Sequence, residues 1–177
     1  IKRMDFLELL RNRRSYRKFK EQPVEAEKIE AIKKAALMSP AGKRCNEWEF
    51  IVVEDKATLQ ALSTSKESGA ELVSGAPLAI VVAADTTICD TCVEDASIAS
   101  IIIQLEAADL GLGSCWVQCK GRKDKDGNSC EDNVRRILGI PEKYMVLNII
   151  AIGYKDQDRK PYEYDKLAYD KFHNEKF

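Results

Sequence analysis

Seven consecutive apolar residues, Leu78, Ala79, Ile80, Val81, Val82, Ala83 and Ala84, stand between Pro77 and Asp85. A run of that length without polar alternation reads as a β-strand buried on both faces. Such a strand belongs inside a folded globule. The rest of the chain can supply one: 45% of its 177 residues are hydrophobic, and a chain of this length suits one domain. At that size roughly 70% of the unfolded surface is buried, so neither a metal nor a disulfide is needed for stability.

Other elements read outward from this strand. Residues 48–53 and 146–154 read as further strands, and 114–118 as another candidate. Residues 93–110 form the most apolar helical stretch and end at Gly111. They are apolar nearly all round, which predicts a central buried helix. Residues 56–62 predict a short helix. Residues 25–38 predict another, with Ile29, Ile32 and Ala36 on one face and Ser39-Pro40-Ala41-Gly42 as its stop. Residues 131–138 predict a helix stopped by Gly139, with Pro141 just beyond. Asp126-Gly127-Asn128 marks a turn inside the polar loop 123–129. At the start, Asp5 and Glu8 have capping-box spacing for a helix carrying Phe6, Leu9 and Leu10. Residues 1–5 lead straight into that charged helix rather than into an apolar signal region. After Tyr154 the composition turns charged and tyrosine-rich, so residues 155–177 are expected to lie along another surface or hang free.

Net charge is −1, from 28 basic and 29 acidic residues. That balance gives no global pull toward nucleic acid or a membrane, and no apolar run reaches the ~18 residues of a spanning helix. Six cysteines in a mid-sized chain read as reduced thiols and a cytoplasmic location. The one local concentration of charge is Arg13-Arg14-Ser15-Tyr16-Arg17-Lys18-Phe19. Arginines can fork onto a phosphate and a serine can add a hydroxyl. The same residues also suit a solvated basic turn.

Several chemistries are disfavoured. A single histidine, His173 in the tail, leaves no two-histidine metal site within one chain and makes a poor general base. No Gly-rich turn follows the first strand, which argues against a dinucleotide-binding fold. Cys89-Asp90-Thr91-Cys92 has the spacing of a thiol-disulfide site, but no second pair completes a zinc site. Cys115 and Cys119 lie four apart on a strand end, and Cys45 and Cys130 stand alone.

Four segments in order nevertheless resemble one family. They are the 13–19 cluster; Ser39-Pro40-Ala41-Gly42-Lys43-Arg44-Cys45-Asn46-Glu47-Trp48-Glu49-Phe50; Gly111-Leu112-Gly113-Ser114-Cys115-Trp116-Val117; and Ile140-Pro141-Glu142-Lys143-Tyr144 with Ile149-Ile150-Ala151-Ile152-Gly153-Tyr154. Together they resemble the nitroreductase family of FMN-dependent oxidoreductases. The resemblance implies an α+β fold with a central mixed, mainly antiparallel sheet flanked by helices. Residues 1–154 would be one FMN-binding domain, and residues 155–177 an extension packing on the partner subunit of a homodimer, anchored by Tyr162, Tyr164, Tyr169 and Phe172.

The resemblance also implies FMN as cofactor, NAD(P)H as electron donor and a nitroaromatic, quinone or related small acceptor, in ping-pong turnover. An FMN carrier, or a relative acting on a different substrate, stands as the alternative; a thiol-disulfide protein using Cys89 and Cys92 is a third reading. By position, Arg13, Arg14 and Ser15 would hold the FMN phosphate, with Arg159 and Lys160 aligning loosely with late basic residues of the same role. Arg17 would tune the N1/O2 edge of the ring. No protein residue need act as a nucleophile. Ser39, Pro40 and Ala41 match a loop lying against the flavin. Gln118 and Cys119 match a strand end whose backbone donors face N5 and O4. The family usually carries Asn at Arg44, Gln at Asn46 and Pro at Glu47. Asn46 keeps an amide there, while Arg44 adds a cation. Lys120-Gly121-Arg122 is also more basic than usual. A polar residue near the ring is expected within 66–77 without a named candidate.

Overall fold

The computed structural model describes residues 5–177; residues 1–4 of the charged start lie outside the described residues. One four-stranded sheet forms the centre. Its strands are β1 (Trp48–Val53), β2 (Leu78–Asp85), β3 (Gly113–Gln118) and β4 (Tyr144–Gly153). They run in the order β1-β2-β4-β3, every neighbouring pair antiparallel. The expected mixed character reduces to one parallel bridge, between Ser15 and Ser114. β2 and β4 are the inner strands. All eight residues of β2 are buried, as the unbroken apolar run requires.

Helices cover both faces. The alternation of side chains along a strand sends Leu78, Ile80, Val82, Ile150 and Ile152 to one face, where they meet α2 (Ala26–Leu37) and α4 (Cys92–Asp109). Ala79, Val81, Val117, Ile149 and Ala151 face the other way, toward α3 (Lys56–Leu62), α5 (Cys130–Leu138) and a short 3-10 turn at Glu71–Gly75. Ser129 caps α5 through its side chain, and Gly139 ends it in the left-handed region at φ 69°.

Two expectations are corrected. In α1 (Phe6–Asn12), Asp5 is the cap residue but makes no side-chain cap bond. Glu8 instead accepts hydrogen bonds from Arg11 and the Tyr164 hydroxyl, so a long-range partner displaces the local box. α4 is not buried all round: Ala96, Ala99, Ile103 and Ala107 face the core, while Val93, Ile98 and Ile101 are exposed. No helix among the described residues is long and apolar enough to cross a membrane.

Candidate functional site

The basic cluster is ordered by two neighbours. Arg13 ends α1, its N–H bonded to the Leu9 carbonyl. The chain then crosses the start of β3, where Tyr16 N–H donates to the Ser114 carbonyl at 2.9 Å. Gly113 permits this crossing, since a Cβ there would lie 2.9 Å from Tyr16 Cβ. The tail returns to the same place. Asp156 N–H donates to the Lys18 carbonyl, Gln157 accepts from Arg17 N–H, and Tyr162 N–H donates to the Arg11 carbonyl. Arg14 donates to the Lys160 carbonyl, and its guanidinium lies over the Tyr162 ring at 4.6 Å. Arg13, Arg14, Ser15, Arg17, Arg159 and Lys160 are therefore gathered in one region. Arg13, Arg14, Ser114 and Lys155 line a cleft there.

β3 is an edge strand, and its register decides which backbone groups are free. Cys119 N–H donates to the Leu147 carbonyl at 2.9 Å. Antiparallel pairing alternates, so the residues between such pairs, Ser114, Trp116 and Gln118, turn their backbone groups to the open edge. The Ser114 carbonyl is taken by Tyr16, and the Gln118 carbonyl accepts from Lys66 Nζ at 2.9 Å. Of the two strand-end residues singled out in the sequence, Gln118 thus faces the edge. Cys119 does not, because its N–H is committed inside the sheet. The Gln118 side chain accepts from the Trp116 indole N–H at 2.8 Å.

Lys66, which no sequence signal singled out, stands at the start of the 66–77 stretch where a polar residue is expected without a named candidate. Its ammonium and the Arg17 guanidinium both act on the Cys115 thiol, opposing the burial that raises that thiol's pKa. The open edge of β3 is therefore flanked by two cations.

Ser39, Pro40, Ala41 and Asn46 lie elsewhere. Their loop leads into β1, at the opposite edge of the sheet. From strand spacing and rise, the start of β1 is roughly 25 Å from Ser114. One chain does not bring the loop and the basic cluster together. Ser39 is buried and its hydroxyl has no hydrogen-bond partner among the described residues. Asn46 is exposed in the left-handed region at φ 48°.

The cysteines pair differently from their spacing. All six are free thiols. Cys92 turns its thiol onto the carbonyls of Cys89 and Asp85, whereas Cys89 Sγ sits 3.2 Å from Thr91 Oγ1 and within 4.8 Å of Cys45 Sγ. A Cys89–Cys92 disulfide site is not what this geometry prepares. Cys119 and Cys130, fully buried, are 2.9 Å apart. The Cys119 thiol donates, which pushes its pKa up and draws that of Cys130 down to about 7.

A family model described as the nitroreductase family matches residues 10–70 and 60–154. The chain belongs to the nitroreductase family. It is 45% identical to an FMN-dependent nitroreductase from Clostridium difficile R20291, with a TM-score of 0.95 over 97% of this chain and 99% of that one. A relative from Archaeoglobus fulgidus, provisionally named NADH dehydrogenase/NAD(P)H nitroreductase, is 34% identical over 97% of this chain and 98% of its own length. A nitroreductase from Desulfitobacterium hafniense DCB-2 with bound FMN shares the fold at 23% identity, with a TM-score of 0.71 over 94% of this chain and 98% of its own.

Proposed function

We propose that this nitroreductase-family chain is an FMN-dependent oxidoreductase. It would carry hydride from NAD(P)H to a nitroaromatic, quinone or related small acceptor by ping-pong turnover. The observation that carries this reading is the split site. The basic cluster and open β3 edge lie on one side of the sheet, and the Ser39–Pro40–Ala41 loop on the other. A second copy would bring one chain's loop to the other chain's cluster, so the working unit is a homodimer with a site at its interface. The exposed apolar side of α4 supports the same assembly, as do Tyr169 and Phe172, which are exposed at the end of the tail. Tyr162 and Tyr164 are anchored on their own chain, over Arg14 and Arg11. The six free thiols suit a reducing, cytoplasmic location.

The residues present fit FMN. Buried polar atoms without partners among the described residues sit in both halves: the Ser39 hydroxyl in the loop and Arg159 Nε beside the basic cluster. Such atoms are expected to find a ligand or water. When bound, FMN supplies a centre that accepts and returns hydride. Arg13, Arg14, Ser15, Arg159 and Lys160 would hold its phosphate. The cation of Arg17 would favour negative charge on the ring, and Lys66 would hold the Gln118 carbonyl in place while Gln118 N–H stays available at the edge.

An anaerobic absorbance spectrum tests the proposal. Purified protein should be yellow or take up FMN, bleach with NADH or NADPH, and recover colour when a quinone is added after the nicotinamide is removed. Protein that stays colourless with added FMN overturns it. Bleaching by neither nicotinamide would leave the flavin-binding alternative. Arg17→Ala should slow flavin reduction more than it weakens FMN retention, and Arg13→Ala should do the reverse.

A further inference from the structure

Away from the basic cluster, a second group of reactive side chains meets where the 39–47 loop touches the start of α4. Cys45 Sγ, Cys89 Sγ and a carboxylate oxygen of Glu47 lie within 4.8 Å of one another. The loop is held there by Gly42 N–H donating to Asp95 Oδ1 at 2.9 Å. A Cβ at Gly42 would lie 2.5 Å from Thr91 Oγ1, so only glycine allows this approach. Lys43, Arg44 and Asn46 all adopt positive φ, between 48° and 57°. Non-glycine residues held there cost of order 1 kcal/mol or more each. In this loop Glu47 is buried and Cys45 half-buried.

Glu47 is the unexplained member. It is 2% exposed, stands where the family usually has proline, and neither carboxylate oxygen has a hydrogen-bond donor among the described residues. Asp95, also buried, is the polar group beside it. Two buried carboxylates in contact require a proton or a cation between or beside them. Burial, then Asp95, raises the pKa of Glu47, so a shared proton serves when no cation is present. The two thiols face each other in the same cluster, within 4.8 Å. Thr91 Oγ1 touches Cys89 Sγ at 3.2 Å and donates to Asp95 Oδ2 at 2.7 Å, linking the thiol to the second carboxylate.

We propose that Cys45, Glu47 and Cys89 form a zinc site that clamps the 39–47 loop to α4. Two sulfurs and one oxygen suit a borderline-soft ion. Tetrahedral Zn²⁺ separates such ligands by about 3.6–3.8 Å, a small contraction of the present cluster. Both cysteines are partly exposed, so the fourth position is open to water. Each ligand gives up its proton as the ion binds. Thr91 and Asp95 orient the ligands from behind.

The test is a titration of reduced, chelator-treated protein with its flavin left in place, using Co²⁺ and then Zn²⁺. One equivalent of Co²⁺ per chain should give a thiolate-to-metal charge-transfer band in the difference spectrum, and Zn²⁺ should erase it. Cys45→Ser and Cys89→Ser should each weaken binding at least about 100-fold, more than the loss of an outer partner costs. Glu47→Gln should keep the band but bind at least about 10-fold more weakly. Cys92→Ser, outside the cluster, should bind normally. Circular dichroism shows which variants are folded, and protection of Cys45 and Cys89 from alkylation by Zn²⁺ gives a readout that needs no variant. The absence of a charge-transfer band, unchanged affinity in the folded Cys45→Ser/Cys89→Ser double variant, or unprotected thiols under saturating Zn²⁺ overturns the proposal.

Discussion

The two faces of the sheet are closed in different ways. On the α3 and α5 face, apolar side chains are turned inward: Leu59, Leu62 and Val134 are buried, and no large apolar residue of either helix is exposed. On the other face α2 and α4 cover the sheet, but a second apolar layer lies outside them. Phe6, Leu7, Leu10, Leu37, Met38, Ile88, Val93, Ile98 and Ile101 are all exposed, Phe6 by 63% and Met38 by 76%. Among the described residues, every exposed large apolar residue ahead of the tail lies on α1, α2, α4 or the turns flanking them. One face is finished by the chain itself. The other has the composition of an interface, which the proposed homodimer would cover.

The strongest way to break this contrast is to charge the open face. Ile98→Glu with Ile101→Glu should convert the dimer to monomers by analytical ultracentrifugation and leave them without FMN. Both residues are exposed in the single chain, so the monomer should remain folded. A yellow dimer from this variant would remove the open face from the assembly. Leu62→Ala is the converse change, in the sealed face. Leu62 is fully buried, and its truncation should cost about 2–5 kcal/mol in urea unfolding without altering the association of the folded protein. Leu37→Ala, by contrast, should change unfolding of the isolated chain by less than about 0.5 kcal/mol while weakening the dimer.

The same contrast marks what the sequence could express. β1 and α3 have the bounds that their local pattern predicts, Trp48–Val53 and Lys56–Leu62. β2 was legible because an unbroken apolar run admits few other placements. The outer side of α4 was not. A helix apolar all round reads alike whether its second face meets its own core or a partner. Contacts between distant segments were hidden for a related reason. Cysteine spacing favours one local pair, Cys89 with Cys92, yet the thiols that meet are Cys45 with Cys89 and Cys119 with Cys130. These pairs are set by strand order and by a strained loop. The basic cluster was legible as a motif, but its separation from the Ser39 loop depends on the sheet order, and Lys66 on the register of β3.

Smaller changes sharpen the description of how the sealed face is built. Ser129 accepts from Asp132 N–H at the start of α5. Ser129→Ala should cost about 1 kcal/mol, visible in urea unfolding and silent in sedimentation. The smallest effect concerns acid. Asp85, at the end of β2, is held down to about 2 by Lys143 Nζ at 2.7 Å first and by Thr87 next. Its folded pKa is below the value near 4 of an unfolded aspartate. The folded state therefore binds this proton less readily, and the contribution is fully present above about pH 4 and is lost as pH falls through about 2. Lys143 is half exposed, so salt screens part of the pair. Lys143→Ala should flatten the dependence of stability on pH between about 4 and 2, leave its slope near pH 7 unchanged, and leave the oligomeric state alone. If instead Lys143→Ala shifted the monomer–dimer balance, the β2 end would belong to the interface, and the division between a sealed face and an open one would have to be redrawn there.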